Sequence, residues 1–243
     1  GEEYKEMAEG DGHLKTGSVR RLIVGEPVGV FYGYRFDGIF QNEEECKQQT
    51  SSAAPIGVGL RRYKDLNGDG KVDAVNDREI LGNANPKFFG GLTNTFAYKG
   101  FELNVFLQYS VGNKILNYNA MELETPTGGQ NAYADMVNRW TPENENTDIV
   151  GFVDGINALT PSSQFVEKGD FVKVKSITLG YSLSNTTLSK AGISKLRVYA
   201  SIQNPFLFTG YSGIDPEVTL KSPLTSGIDW GYYPNAVSYT HLR

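Results

Sequence analysis

A single cysteine, Cys46, stands in 243 residues, so neither an internal disulfide nor a cysteine-based metal site can form. Set among Asn, Glu and Gln, it reads as a surface thiol rather than a nucleophile. Imidazole is nearly as scarce: only His13 and His241 are available as bases. There is no nucleophile elbow and no phosphate-cradling glycine loop, and no carboxylate pair stands out by spacing, which argues against an enzyme. Long apolar runs are missing too. No stretch of about 18 residues qualifies as a transmembrane helix, although membrane β-strands, which show only short alternating segments, are untouched by that absence. A basic stripe with interleaved aromatics is lacking and the net charge is -5, which argues against a nucleic-acid surface. The opening GEEYKEMAEGDG has no charged-then-apolar signal pattern and reads as the middle of something longer.

What is present is β-rich chemistry. Aromatics make up 12% of the chain and there are 28 glycines, whereas helix-favouring Ala-Leu-Glu runs are few. The clearest stretch is FFGGLTNTFAYKGFELNVFLQYS at 88–110, which reads as two strands of about ten residues joined by a tight turn at Lys99 and Gly100. In that register Tyr98 lies opposite Phe101, Phe96 opposite Leu103, Asn94 opposite Val105 and Leu92 opposite Leu107, all on one greasy face. The other face carries Phe89, Gly91, Thr93, Thr95 and Ala97 against Glu102, Asn104, Phe106, Gln108 and Ser110. Asn94 is the polar exception on the greasy side.

Elsewhere, alternation predicts a strand within 28–40, a short one at 18–24, one at 171–183 with Ile177, Leu179, Tyr181 and Leu183 on one face, and one at 196–203. Residues 41–62, 111–165 and 204–233 read as loop, with one short helix near 131–140 stopped by Thr141 and Pro142. The sharpest local motif is DLNGDGKVD at 65–73. Oxygen ligands at alternate positions on a tight turn converge on one point, and Ca²⁺ takes six to eight oxygens. Asp65, Asn67, Asp69, the carbonyl of Lys71 and Asp73 fit that pattern, with Gly70 at the bend. Asn76 occupies the place of the last acidic ligand and Asp77 follows one residue late, which reads as a one-residue insertion in the loop and makes Asp77 the last candidate ligand. The same composition also makes an Asp/Asn/Gly turn that needs no ion.

Loop lengths alternate: the turn at 99–100 and the connector 184–195 are short, whereas 111–170 and 204–233 are long. Successive antiparallel strands therefore place short links on one edge and long ones on the other, the asymmetry of outer-membrane barrels. Ten steps of about 3.3 Å, tilted by about 45°, give an apolar band near ~23 Å, close to the height of a barrel's lipid-facing band. Sandwich strands are usually about five or six residues. The expected fold is accordingly all-β: about five or six antiparallel strands from the C-terminal part of a large transmembrane barrel, greasy face to lipid and polar face to a wet lumen. The competing reading is a soluble, calcium-dependent, cell-surface carbohydrate-binding β-sandwich.

Several motifs in succession resemble the SusC/RagA family of TonB-linked outer-membrane transporters of Bacteroidetes. They are GEPVGVFYGY at 25–34, DGIF at 37–40, the 65–73 loop, DREILG at 77–82, NPKFFGG at 85–91, NRWTPEN at 138–144, KSITLGY at 175–181, LRVYASIQN at 196–204 and GIDPE at 213–217. The resemblance covers most of 20–235 and matches only the C-terminal end of that family. It implies a whole protein of about 22 strands with a plug in the lumen, importing glycans or peptides with energy from TonB. A SusD-like lipoprotein would act as lid, and the signal peptide, TonB box and plug would lie outside this sequence. External-loop aromatics, Trp140, Phe208, Tyr211 and Trp230 with Phe206, Tyr232 and Tyr233, are the candidates to stack on sugar rings, or else simply pack together. Residues 1–235 are thus one barrel segment. Residues 236–243, AVSYTHLR, depart from the family's final aromatic-ended strand and resemble translated sequencing-adaptor read-through, so His241 is given no functional role.

Overall fold

The computed structural model describes residues 19–21, 23, 25–125, 131–152, 160–183, 196–218, 226–231 and 237–242. The connector read at 184–195, Tyr232, Tyr233 and parts of the 18–24 segment lie outside the described residues. In chain order the strands are β1 (Val30–Tyr34), β2 (Phe36–Ile39), β3 (Thr50–Ser51), β4 (Arg61–Tyr63), β5 (Lys71–Val72) and β6 (Arg78–Asn83). The long hairpin β7 (Phe88–Tyr98) and β8 (Phe101–Val111) follows, then β9 (Lys114–Asn117), β10 (Val166–Lys168), β11 (Phe171–Ser182) and β12 (Arg197–Thr209). Last come β13 (Ile228–Asp229) and β14 (Ser238–Leu242).

The chain divides into two compact units, the first from 1–85, 114–167 and 217–232, the second from 86–113, 168–216 and 233–243. The second is an open antiparallel sheet of order β14-β12-β11-β8-β7. Its hairpin has the register read from the sequence, Tyr98 against Phe101, Phe96 against Leu103, Asn94 against Val105 and Leu92 against Leu107. Lys99 and Gly100 have φ of 45° and 88°, both left-handed, as the favoured two-residue hairpin turn requires. The chain leaves this sheet for the first unit after Asn113 and Pro216 and returns at Pro86 and Lys168. These four of the five crossings are at the strand ends away from the Lys99 turn.

Two expectations for this sheet need correction. The strand expected at 196–203 runs on to Thr209, so Phe206 and Phe208 belong to β12 and not to a loop. The extension passes through a break in pairing: Val174 pairs with Phe206, but Ser176 pairs with Gln203. Asn204, with φ 50°, and Pro205 sit in that bulge, opposite Lys175. An unpaired Pro is tolerated at a bulge, and a bulge changes which residues share a face. Hence Val172 and Val174, not Lys173 and Lys175, continue the apolar row of Ile177, Leu179 and Tyr181. Leu183 falls just beyond the strand. The edge strand β14 pairs with 199–203 of β12, as any alternating segment can at an unprotected sheet edge.

The first unit is built from short pieces. β1 pairs with β6, β2 with β4 and β3 with β5, so the strand expected across 28–40 is broken at Arg35. Its main core joins Val19, Phe31, Leu116, Ala120, Met121, Phe165, Val166 and Ile228. The expected helix at 131–140 is a 3₁₀ turn, Ala134–Asn138, whose capping residue Tyr133 makes no side-chain cap bond. Two short α-helices stand where loop was expected. In α1 (Glu43–Gln48), Asn42 accepts the N–H of Glu45 at 2.9 Å and Glu45 accepts that of Gln41 at 3.0 Å. In α2 (Tyr118–Leu123), the buried Asn117 accepts the N–H of Ala120 at 2.9 Å, and Ala120 and Met121 enter the core.

Candidate functional site

The long sheet presents two chemically opposed faces. One carries Leu92, Phe96 and Tyr98, then Phe101, Leu103, Val105, Leu107 and Tyr109, then the valine-led row of β11, then Val198, Ile202, Phe206 and Phe208. Most of these side chains are not packed on a second layer: Phe96 is 61% exposed, Leu92 54% and Phe206 55%, whereas Val174 is buried. At the turn end aromatics gather, with the Phe101 and Tyr181 ring centroids 4.5 Å apart and the Lys99 ammonium 5.2 Å from the Tyr98 ring. Asn94, opposite Val105, remains the polar exception.

The opposite face is a ladder of hydroxyls and amides. Asn104 donates to Thr95 Oγ1 at 2.9 Å, and the Thr178 and Ser201 hydroxyls are 2.9 Å apart. Arg197 donates to Glu102 Oε2 at 2.8 Å, crossing the strand between them at Gly180. A Cβ on Gly180 would come within 3.0 Å of the guanidinium, so that crossing needs glycine. Nearer the other end, Lys173 Nζ lies 3.0 and 3.3 Å from the two Asp215 oxygens, with both side chains buried. Aromatics on β8 also cover the glycines of β7: a Cβ on Gly91 would strike Phe106, and one on Gly90 would strike Tyr109.

The 65–77 loop is closed by its own amides. Asp65 accepts the N–H groups of Gly68 and Gly70, each at 2.7 Å; Asn67 accepts Asp69 N–H at 3.1 Å, and Asp69 accepts Lys71 N–H at 2.8 Å. Asp73 accepts Val75 and Asn76, each at 2.9 Å. Partial desolvation pushes the Asp65 carboxyl upward, but the amides of Gly70, Gly68, Asp69 and Asn67 outweigh it and hold it below the ordinary carboxylate range. The amides of Asn76 and Val75 do the same for Asp73, helped by Lys71. Asp77 is fully buried and accepts Leu66 N–H at 2.8 Å and Asp73 N–H at 2.7 Å, stapling the two ends of the loop. Gly68 and Gly70 take the left-handed φ of 77° and 81° that the bend needs. The donors are the hard oxygens calcium prefers, but among the described residues no three acidic, His or Cys side chains converge as a ligand set.

The aromatic candidates are scattered. Trp140 donates its indole N–H to Gln41 Oε1 at 2.6 Å and packs beside Ile39, Leu60 and Val150. Trp230 stacks on Tyr118 at 4.1 Å against the main core. Tyr211 is buried, and Phe208 sits on the apolar face of the sheet, 62% exposed. Unforeseen was Arg61, a buried guanidinium bonded to Gln164 at 2.9 Å, Thr125 at 3.0 Å and the Glu124 carbonyl at 3.3 Å, with the Phe165 ring 5.0 Å away. Burial pulls its pKa down, and no periodicity could have flagged it, because its partners come from segments far along the chain.

No family model matches the sequence. The TonB-dependent receptor P3 of Formosa agariphila is 36% identical over 235 residues, 94% of this chain and 23% of the receptor. The TonB-dependent receptor SusC of Bacteroides thetaiotaomicron is 31% identical over 73% of this chain and 17% of its own length. Among solved structures, the RagAB peptide transporter superposes over 90% of this chain and 25% of its own, with a TM-score of 0.65 and 22% identity. This chain thus spans about a quarter of the proteins it matches or less. They are receptors and transporters, not enzymes. The chain belongs to the SusC/RagA family of TonB-dependent receptors, and its sheet and loops correspond to the C-terminal part of that barrel, left open here.

Proposed function

We propose that this chain forms part of the wall and outer loops of a TonB-dependent outer-membrane transporter that imports glycans or peptides together with a SusD-like lipoprotein. One observation carries the reading: strands of 11 to 13 residues with one exposed apolar face and one hydrogen-bonded polar face. A sandwich would bury that apolar face against a second sheet; a barrel turns it to lipid and the polar ladder to a wet lumen. The Lys99 turn then faces the periplasm, and the long connections, with the 65–77 loop among them, face outward. In that place the loop braces the mouth, and Ca²⁺ held by Asp65, Asn67, Asp69, the Lys71 carbonyl and Asp73 would stiffen it, with Asp77 as a staple. TonB would engage through the part of the protein that precedes this segment.

The test is the full-length receptor expressed in its host. Recovery in the outer-membrane fraction, with mobility on denaturing gels that shifts on boiling and a lipoprotein that co-purifies, is the expected result. Recovery as a detergent-free soluble monomer would sink the proposal. Uptake of labelled oligosaccharides against labelled peptides then separates the two cargo classes.

A further inference from the structure

We propose that Lys99, with the rings of Tyr98, Phe101 and Tyr181, forms a docking point for the phosphate of an anionic phospholipid headgroup, which rests on the apolar face of the sheet meeting lipid. Lys99 takes a left-handed φ of 45°, and among the described residues Asn204 is the only other non-glycine to do so. Asparagine tolerates that backbone because its short amide bonds locally, a relief that lysine lacks. Asn-Gly is the favoured sequence for this turn, so lysine serves the turn poorly and the strain points to a use for its ammonium. The ammonium lies 5.2 Å from the Tyr98 ring, which is exposed on the apolar face. Among the described residues no carboxylate pairs with it. The nearest acid in sequence, Glu102, stands on the polar face and is held by Arg197 at 2.8 Å.

The surroundings hold the cation at a fixed height on the sheet. The Gly100 carbonyl accepts the Ser182 N–H at 2.8 Å, which ties the turn to the end of β11. Phe101 and Tyr181, paired across β8 and β11 with ring centroids 4.5 Å apart, are both exposed beside it. Such rings settle at headgroup level, with hydrocarbon on one side and water on the other. A phosphate at that level accepts a charge-assisted hydrogen bond from the ammonium while its acyl chains continue along the apolar row. An anionic headgroup suits the site better than a zwitterionic one, whose own ammonium competes for the same phosphate. An acidic peptide would supply the charge but no hydrocarbon for the row that runs on from the rings.

Photocrosslinking of the full-length receptor in mixed vesicles tests this, with phosphatidylglycerol and phosphatidylcholine analogues that each carry a diazirine in the headgroup region. Adducts on 98–101 and Tyr181 should favour the phosphatidylglycerol analogue by about fivefold, the weight of one cation at an anionic surface. Adducts around Tyr109, at the far end of the strands, should show no such preference. Lys99→Asn, which keeps the turn, should abolish the preference, and Lys99→Arg should retain it. A preference that survives in Lys99→Asn, or that is equal around Tyr109, would overturn the docking point. Equal labelling of 98–101 by the two analogues would overturn it too, yet leave the apolar face in lipid. Only a lack of adducts from either lipid along the apolar row would remove lipid from that face as well. If Lys99→Asn does not assemble, the native receptor decides: a preference confined to the turn supports the docking point and its absence refutes it.

Discussion

Asp77 holds a backbone role that its motif alone did not show. Placed one position late for a calcium ligand, it accepts two backbone N–H groups from the ends of its loop and is fully buried. Asp77→Ala leaves both donors without that acceptor, and an unmet buried donor costs about 1–3 kcal/mol. We expect the variant receptor to lose about 2 kcal/mol, with faster hydrogen exchange confined to 65–77. Asp65 and Asp73 add a pH dependence. Their folded carboxyls titrate below the unfolded value of about 3.9, so their contribution is fully present above that pH and is lost as pH falls through the folded values. Proteolytic nicking of the loop should therefore rise only below about pH 4. Calcium enters the same measurement: if the proposed ion binds, millimolar Ca²⁺ protects the loop and Asp65→Ala abolishes the protection. Composition made the turn legible down to the bend at Gly70. What composition could not show is whether its oxygens meet amides or a cation, since both readings use the same residues at the same spacing.

At the scale of elements, the hairpin was the most legible part of the chain, because period-two alternation and a Lys-Gly turn specify the same register independently. Gly100 tests that agreement. It holds φ at 88°, and a Cβ there would stand 2.8 Å from the Ser182 carbonyl oxygen. Gly100→Val should cost about 2 kcal/mol from the left-handed backbone alone and slow barrel assembly, read as less of the boiling-sensitive band. Lys99→Asn, which tolerates positive φ, should leave that band unchanged. Equal effects of the two would mean that the turn does not set the register. The helices and bulge were missed for a different reason. The α1 signature, Asn42 three residues before Glu45, was present, but six residues are too few to show a 3.6-residue period. The bulge at Lys175 and Asn204 hides inside an apparently unbroken alternation. Only pairing reveals that the apolar row of β11 changes from odd to even positions there; in β12 the row stays at even positions, and Phe208 was read into a loop because Asn204 and Pro205 look like the end of a strand.

For the whole molecule, the apolar face makes a graded prediction that a soluble fold would not share. The Leu92, Leu107, Val174 and Phe206 level lies well inside the strands, whereas Tyr98 and Phe101 flank the turn. If that face meets lipid, Leu107→Arg places a cation deep in hydrocarbon and should cost about 2–4 kcal/mol, while Tyr98→Arg, near the interface, should cost about 0–1 kcal/mol. Thr95→Arg, one residue from Phe96 but on the polar face, should cost less than Leu107→Arg because its charge reaches water. Denaturant titration of the full-length receptor refolded into phospholipid vesicles gives all three values. A packed protein core would penalise Leu107→Arg as well, so the discriminating arm is lipid thickness. Thicker bilayers bring the membrane centre no closer to Leu107 but draw hydrocarbon towards the turn, so the Tyr98→Arg penalty should grow with acyl-chain length while that of Thr95→Arg does not. A Tyr98→Arg penalty that ignores bilayer thickness would remove lipid from that face.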